Sequence, residues 1–449
     1  MFNRSIISDL ENWSNKINRK PLILRGARQV GKTTAVNIFA SQFDQYIYLN
    51  LEIAENRKIF EQDLNFDELQ TAIFFYKDKK KEAGKTLVFI DEIQNSPAAI
   101  AQLRYFYESA KELFVIAAGS LFESIISNQI SFPVGRVEYL YMKPLTFREF
   151  LSATGENESA ELIDKIPFPR YAHNKLLKQF YLYTLIGGMP EVVKTYVESK
   201  DIILLNSIYE SLLVSYLDDV EKYARNTTLA RVIRHAIQSC FFEAGKRIKF
   251  QGFGNSNYKS REMGEALKTL EKAMLIKLIY PTTSLKLPII PDYKKSPKLF
   301  VLDTGLINYF VGLQKELFGA QDLNNIYEGK IAEHIVGQEL IARRKSFIDN
   351  LCFWVREKKQ SNAEIDFVIS FDNKIFPIEV KTGSSGQMRS FFQFLDSAPH
   401  NFGVRIYSGE LKIDKITSVK GKEIFLLNLP FYLVGEIEGY LEWFIKSKL

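Results

Sequence analysis

Nine consecutive residues, Gly26-Ala27-Arg28-Gln29-Val30-Gly31-Lys32-Thr33-Thr34, constrain this chain more than any other feature. They follow a short strand-like run, Pro21-Leu22-Ile23-Leu24-Arg25, and satisfy the spacing G-x-x-x-x-G-K-[ST]. The residue types explain the chemistry. Glycines let the loop curl so that successive N–H groups face phosphates, Lys32 reaches the β/γ oxygens, and the Thr33 hydroxyl is placed for Mg²⁺. The following helix adds its positive N-terminal end. A strand before this loop and a helix after it are required, which points to a parallel α/β domain whose ligand, ATP with Mg²⁺, lies at the carboxyl edge of the sheet.

Three further apolar runs complete that sheet. Lys85-Thr86-Leu87-Val88-Phe89-Ile90-Asp91-Glu92 reads as a buried strand ending in two carboxylates. Asp91 is expected to hold Mg²⁺ through water, and Glu92 to orient or polarise the attacking water. Gln45–Leu51 reads as another strand. Leu113–Ser120 is a further one, ending in a hydroxyl that either senses the γ-phosphate or caps a helix. Arg136 follows a turn and is expected either to approach a phosphate, within the chain or from a neighbour, or to be an ordinary solvated or ion-paired residue.

With 449 residues the chain exceeds what one hydrophobic core organises, and about three domains are expected. Two widely spaced cysteines, Cys240 and Cys352, exclude a disulfide framework and a zinc knuckle. No apolar run approaches the ~20 residues of a spanning helix, and Arg4, Asp9 and Glu11 interrupt any secretory segment. The expectation is a cytoplasmic protein with no membrane partner.

The loop Gly26–Thr33, the run Asp91-Glu92-Ile93-Gln94, and Gly135-Arg136-Val137 followed by Pro144-Leu145-Thr146-Phe147-Arg148-Glu149-Phe150 resemble the AAA-type P-loop ATPases of bacteria and archaea that carry a conserved, uncharacterised C-terminal region. Gly187-Gly188-Met189-Pro190-Glu191 and Asp303-Thr304-Gly305-Leu306 extend the resemblance over essentially the whole chain. It implies an AAA+ core, a helical and winged-helix middle, and a nuclease-like end.

In the middle, Ile163 to Lys222 reads as long helices broken at Gly187-Gly188-Met189-Pro190. Met263, Leu267, Leu270 and Met274 mark one face of a later helix. Leu275–Tyr280 and Leu285–Leu287 then suggest the two strands of a wing. The net charge of +6 decides nothing as a total. Between Glu243 and Phe300, however, 12 Lys+Arg stand against 5 Asp+Glu. That basic stretch, including Lys246, Arg247, Lys249, Lys259, Arg261, Lys268, Lys294, Lys295 and Lys298, is the expected DNA contact, set against a merely solvated face or a protein-binding one.

Toward the C-terminus, Leu351–Val355, Glu364–Ile369 and Ile375–Lys381 read as three strands. Strict alternation would place Ile365, Phe367 and Ile369 on one face and Asp366 on the other. Asp366 followed by Glu379-x-Lys381 is the pattern of PD-(D/E)XK nucleases, and Glu333 resembles the acidic residue that often precedes it. Asp366, Glu379 and Glu333 suit Mg²⁺, and Lys381 would position a metal-bound water for attack on a phosphodiester. His173, His235, His334 and His400 show no ligand spacing, and His334 reads as structural.

These readings predict an α/β chain. Its P-loop NTPase sheet of AAA+ type occupies 1–155, a helical and winged-helix region 156–312, and a restriction-endonuclease-like α/β domain 313–449. The leading expectation is a Mg²⁺-dependent ATPase whose nucleotide state controls a DNA-binding or DNA-cleaving half, with a homo-oligomer or protein partner as a further candidate. The rival is a nucleotide-dependent protein-interaction switch built on an inactive nuclease-like scaffold. A metabolic P-loop kinase would leave the last three hundred residues unexplained.

Overall fold

A computed structural model describes residues 2, 4–119, 133–314, 329–344, 350–356, 363–381 and 388–448. Two compact units emerge: Met1–Lys143 with Lys272–Leu275, and Pro144–Glu271 with Ile276–Leu449.

The first unit is a five-stranded parallel sheet of β1 (Leu22–Arg25), β2 (Gln45–Asn50), β3 (Thr86–Asp91), β4 (Phe114–Gly119) and β5 (Glu138–Tyr141), in the order β2-β3-β4-β1-β5. Every residue of β1 and β3 is buried, as expected of parallel strands covered on both faces. Ile23, Ile47, Leu49, Val88, Ile90 and Ala117 share one core with Leu103 and Phe106 of the helix Pro97–Ser109. Because β4 lies between β1 and β3, the ends of all three converge at one edge.

In the second unit the helix His173–Ile186 stops at Gly187, whose φ of 74° an L side chain rarely adopts, and Pro190 opens the next helix. A Cβ on Gly187 would lie 1.9 Å from Asp303 Oδ1, so the glycine serves a close approach as well as a turn. Asp303 Oδ2 accepts from Gly188 N at 2.6 Å and Oδ1 from Gly305 N at 3.0 Å. The two motifs at 187–191 and 303–306 are therefore two sides of one buried contact.

The helix Ser260–Lys272 buries Met263, Leu267 and Leu270. Met274 lies beyond its end with φ 60°, a departure from the expected face. The ribbon also differs from expectation. β6 (Ile276–Ile279) pairs antiparallel with β8 (Lys298–Val301), whereas Leu285–Leu287 forms no strand. β8 offers four buried residues to pair, while Leu287 is exposed. β7 (Pro281–Thr282) instead takes the outer position of a second sheet, where a proline's missing N–H costs no ladder bond.

That second sheet runs β13-β14-β12-β11-β10-β9-β7, with β9 (Cys352–Val355), β10 (Glu364–Phe371), β11 (Lys374–Val380), β12 (Phe402–Tyr407), β13 (Lys412–Thr417) and β14 (Glu423–Pro430). A helix, Lys330–Arg343, precedes the antiparallel meander β9-β10-β11. The helix Arg389–Ser397 then leads into β12, parallel to β11. The strict alternation expected along β10 breaks. Ile365 faces Trp354 and Val368 faces Cys352, so β10 carries an extra residue in a bulge that contains Asp366.

Cys240 and Cys352 are free and buried. Among the described residues no helix is long and apolar enough to cross a membrane.

Candidate functional sites

Two clusters of ionisable groups lie at strand ends, one in each unit. In the first, β1 delivers the glycine loop. A Cβ on Gly26 would meet Met142 O at 2.5 Å, so only glycine lets the loop start this close to the strand beside it. Gly31, with φ 94°, turns the chain into the helix Lys32–Ala40. Lys32 is only 7% exposed, and its ammonium donates to Gly26 O at 3.0 Å and Ala27 O at 2.9 Å. Burial pulls its pKa down to about 8 against the opposing pull of Glu92 and Asp91.

Asp91, at the end of β3, is held by three donors. Thr33 Oγ1 donates to its Oδ2 at 2.7 Å, Tyr48 O–H to the same oxygen at 3.2 Å, and Glu92 N to Oδ1 at 3.0 Å. Burial and Asp91 push the Tyr48 phenol up to about 12, which keeps it a donor at neutral pH. Glu92 occupies the left-handed region at φ 51°, a strained conformation for a non-glycine residue. Its carboxylate accepts from Gln94 Nε2, and burial raises its pKa above the ordinary glutamate value. The Gln94 amide in turn lies against Gly119 at the end of β4, where a Cβ would come within 2.3 Å of it. Tyr48 had no signal in the sequence that marked it as part of this site, and Gln94 stood in the run Asp91-Glu92-Ile93-Gln94 without a role assigned to it.

Arg136 departs from the expectation of a same-chain phosphate contact. Tyr141 of β5 pairs with Arg25, next to the loop, but Glu138 pairs with Leu22 at the far end of β1. Arg136 precedes that far end, at least about 10 Å of strand away from the loop. There its guanidinium is ion-paired with Glu108, and Lys20 Nζ donates to the neighbouring Gly135 O at 2.7 Å. Ser120 lies outside the described residues; β4 ends one residue before it.

The second cluster lies in the second unit around Lys298, which sequence reasoning assigned to a basic surface. It is instead 3% exposed. Its ammonium lies 2.6 Å from Glu333 Oε1, 2.8 Å from Glu364 Oε1 and 3.7 Å from Asp366 Oδ1, and 5.0 Å from the centre of the Phe353 ring. Burial acts to lower its pKa, but Glu333, Asp366 and Glu364 overcome it and the pKa rises. Asp366 Oδ2 accepts from Val380 N at 2.8 Å. Glu379 Oε1 meets Lys381 Nζ at 2.8 Å, while its buried Oε2 has no hydrogen-bond partner among the described residues. Burial and the nearby Asp366 push Glu379 upward, and burial does the same to Glu333. Glu364, unremarked in the sequence, also meets Arg247 at 3.3 Å.

The expected carboxylates therefore gather in one region with Lys381, but around a lysine. Among the described residues no group of three or more His, Cys, Asp or Glu is arranged to hold a metal ion. His334, beside Glu333, is buried and accepts from Val301 N at 2.9 Å, and burial lowers its pKa to about 3. The remaining basic stretch is mixed. Lys249, Lys259, Arg261, Lys268 and Lys294 are exposed, whereas Lys246, Arg247 and Lys295 are ion-paired.

Residues 18–151 match the family AAA_14, described as an AAA domain, which falls mainly on the first unit. Residues 177–317 and 328–430 match two domains of unknown function, DUF8612 and DUF4143. An uncharacterised protein of Haemophilus influenzae is 22% identical over 375 residues, covering 80% of this chain and 81% of that one. Among solved structures, the Walker-type ATPase paby2304 of Pyrococcus abyssi is 15% identical, with a TM-score of 0.44, covering 69% of this chain and 96% of that one. The Aeropyrum pernix ORC1 protein in complex with DNA is 12% identical, with a TM-score of 0.26, covering 68% of this chain and 90% of that one.

Proposed function

We propose that the first unit binds ATP with Mg²⁺ and hydrolyses it, and that its nucleotide state controls a DNA-directed second unit. The observation that carries the first half is the buried Lys32 ammonium, whose direct hydrogen-bond partners are two neutral carbonyls of its own loop. A phosphate offers that ammonium a far stronger acceptor. Thr33 and Asp91 supply a hydroxyl and a carboxylate oxygen, the donor chemistry that Mg²⁺ prefers, and would hold it. The metal would neutralise charge on the β- and γ-phosphates. Glu92, its pKa raised by burial, takes the proton of the water that attacks the γ-phosphorus as ADP leaves. Gln94 orients the Glu92 carboxylate for that transfer. Arg136 would serve only a nucleotide bound by another copy of the chain.

For the second unit, the helix Ser260–Lys272 followed by the β6/β8 ribbon supports a winged-helix reading of the region to residue 312. The order helix, antiparallel meander, helix, parallel strand supports a nuclease-like reading of the rest. The exposed Lys249, Lys259, Arg261, Lys268 and Lys294 are the proposed phosphate contacts. The position of Lys298 among the carboxylates favours the scaffold reading, in which this fold binds without cutting.

Filter binding and phosphate release with Lys32→Ala test the first half: affinity falls and turnover is lost, and unchanged affinity and turnover would overturn the proposal. DNA binding should weaken steeply with salt and with Lys249, Lys259 and Lys268 changed to Glu. Salt-insensitive binding would leave a protein partner as the reading for the second unit.

A further inference from the structure

We propose that Lys298 is the resident cation of the acidic site in the second unit, standing where a divalent metal would bridge the carboxylates, so that the site is closed to metal while Lys298 is in place. The inference depends on the nuclease-like reading only for where to look, and not on ATP binding.

The geometry is that of a built counter-ion. Lys298 Nζ is within 2.8 Å of oxygens from two separate elements, Glu333 on the helix Lys330–Arg343 and Glu364 on β10, and 3.7 Å from Asp366. A divalent cation would need to collect the same oxygens. An ammonium brings them together with a single charge and three donors. The backbone that carries it is fixed on both sides. Lys298 pairs with Ile279 across the ribbon, and the peptide units on either side are tied by Ile248 N to Pro297 O at 2.9 Å and Leu299 N to Lys246 O at 3.0 Å. The backbone thus delivers the side chain from a strand outside the seven-stranded sheet into the end of that sheet.

Charge balance supports the same reading. Glu333, Glu364, Asp366 and Glu379 face Lys298, Arg247 and Lys381, so four carboxylates meet three cations without any metal. The buried Glu379 Oε2, with no partner among the described residues, is an oxygen of the cluster left for an incoming ligand. A metal entering beside an undisplaced Lys298 would meet its positive charge at close range. Removing that ammonium vacates the position on which the carboxylate oxygens converge, which opens it to a hard cation.

Mn²⁺ binding to the full chain without nucleotide, followed by the electron paramagnetic resonance of free Mn²⁺, tests this. Wild type, Lys298→Met, the charge-balanced Lys298→Met/Glu364→Gln and Lys298→Arg are compared, the first three also with Asp366→Asn added. Wild type is expected to show no Mn²⁺ site that depends on Asp366. The charge-balanced variant, and Lys298→Met where it folds by circular dichroism, should gain one site at least tenfold tighter than any in wild type, and Asp366→Asn should remove it. Lys298→Arg should behave as wild type. An Asp366-dependent Mn²⁺ site already present in wild type overturns the proposal. So does a folded charge-balanced variant with no gain. Misfolding of both Met-bearing variants while Lys298→Arg folds supports the counter-ion role. Misfolding of all three, including Lys298→Arg, counts against it. Neither result depends on ATP binding, so failure here leaves the ATPase reading standing, and the reverse.

Discussion

Lys32 and Lys298 are both almost fully buried, at 7% and 3% exposed, yet their electrostatic situations are opposite. Lys32 donates to backbone carbonyls and its pKa falls; Lys298 is ringed by carboxylates and its pKa rises. Burial penalises an ammonium in both places, and the neighbours decide the outcome. A lysine left short of negative charge is ready for an anion that comes and goes. One already matched by Glu333, Glu364 and Asp366 is part of the fold.

The largest effect belongs to the reaction itself. Glu92→Gln should slow ATP turnover by about 10²–10⁴-fold while leaving binding largely intact, measured as steady-state phosphate release. Undiminished turnover would remove Glu92 from the chemistry. The two lysines should differ most in stability. Lys298→Ala strands three half-buried carboxylates around a buried site and should cost up to about 3–5 kcal/mol in urea unfolding. Lys32→Ala, which removes a buried charge that has no counter-charge in direct contact, should change nucleotide-free stability by less than about 1 kcal/mol. Equal losses would erase the distinction between the two lysines.

In binding the roles reverse. Lys32→Ala should weaken ATP by about 10–100-fold, equivalent to the ~1.5–3 kcal/mol of hydrogen bonds to a charged partner. With the Lys32 pKa near 8 in the free protein, ATP affinity should be flat below that pH and fall by up to about tenfold per unit above it, as the ammonium deprotonates. The break should vanish in Lys32→Ala in a titration with a fluorescent nucleotide.

The smallest effect concerns a third arrangement, a carboxylate buried without a direct cation. Glu339 accepts from Tyr183 O–H at 2.7 Å and Phe147 N at 3.1 Å, and burial raises its pKa to about 7. A folded-state pKa above the unfolded one contributes stability that is present in full at low pH and lost as pH rises through about 7. Glu339→Gln should therefore raise the melting temperature at pH 8 by about 2–4 °C, and by less at pH 5. An equal or opposite shift at the two pH values would deny that Glu339 is strained by its charge.

Much of this was legible in the residues. The glycine loop, the apolar run ending in Asp91-Glu92, and the proline after Gly187-Gly188 are local signals, and local geometry follows them. The parts that were not legible depend on pairing between distant segments. Nothing near Arg136 reveals which end of β1 it will stand beside, because that depends on the register of β5. The bulge at Asp366 is likewise invisible to a two-residue alternation, since it depends on how β9 lies against β10.

The sequence by itself determined a glycine-rich loop between a strand and a helix and the carboxylate pair Asp91-Glu92, because each depends on residue type at short spacing. Only the tertiary structure decided what those charges meet. Lys298 reads as one more cation in a basic stretch until β6 pairs with β8 and turns its side chain away from water. Coulomb interactions act through space and deepen as water is excluded. The meaning of a charge is therefore settled by which strands fold around it and not by its neighbours along the chain.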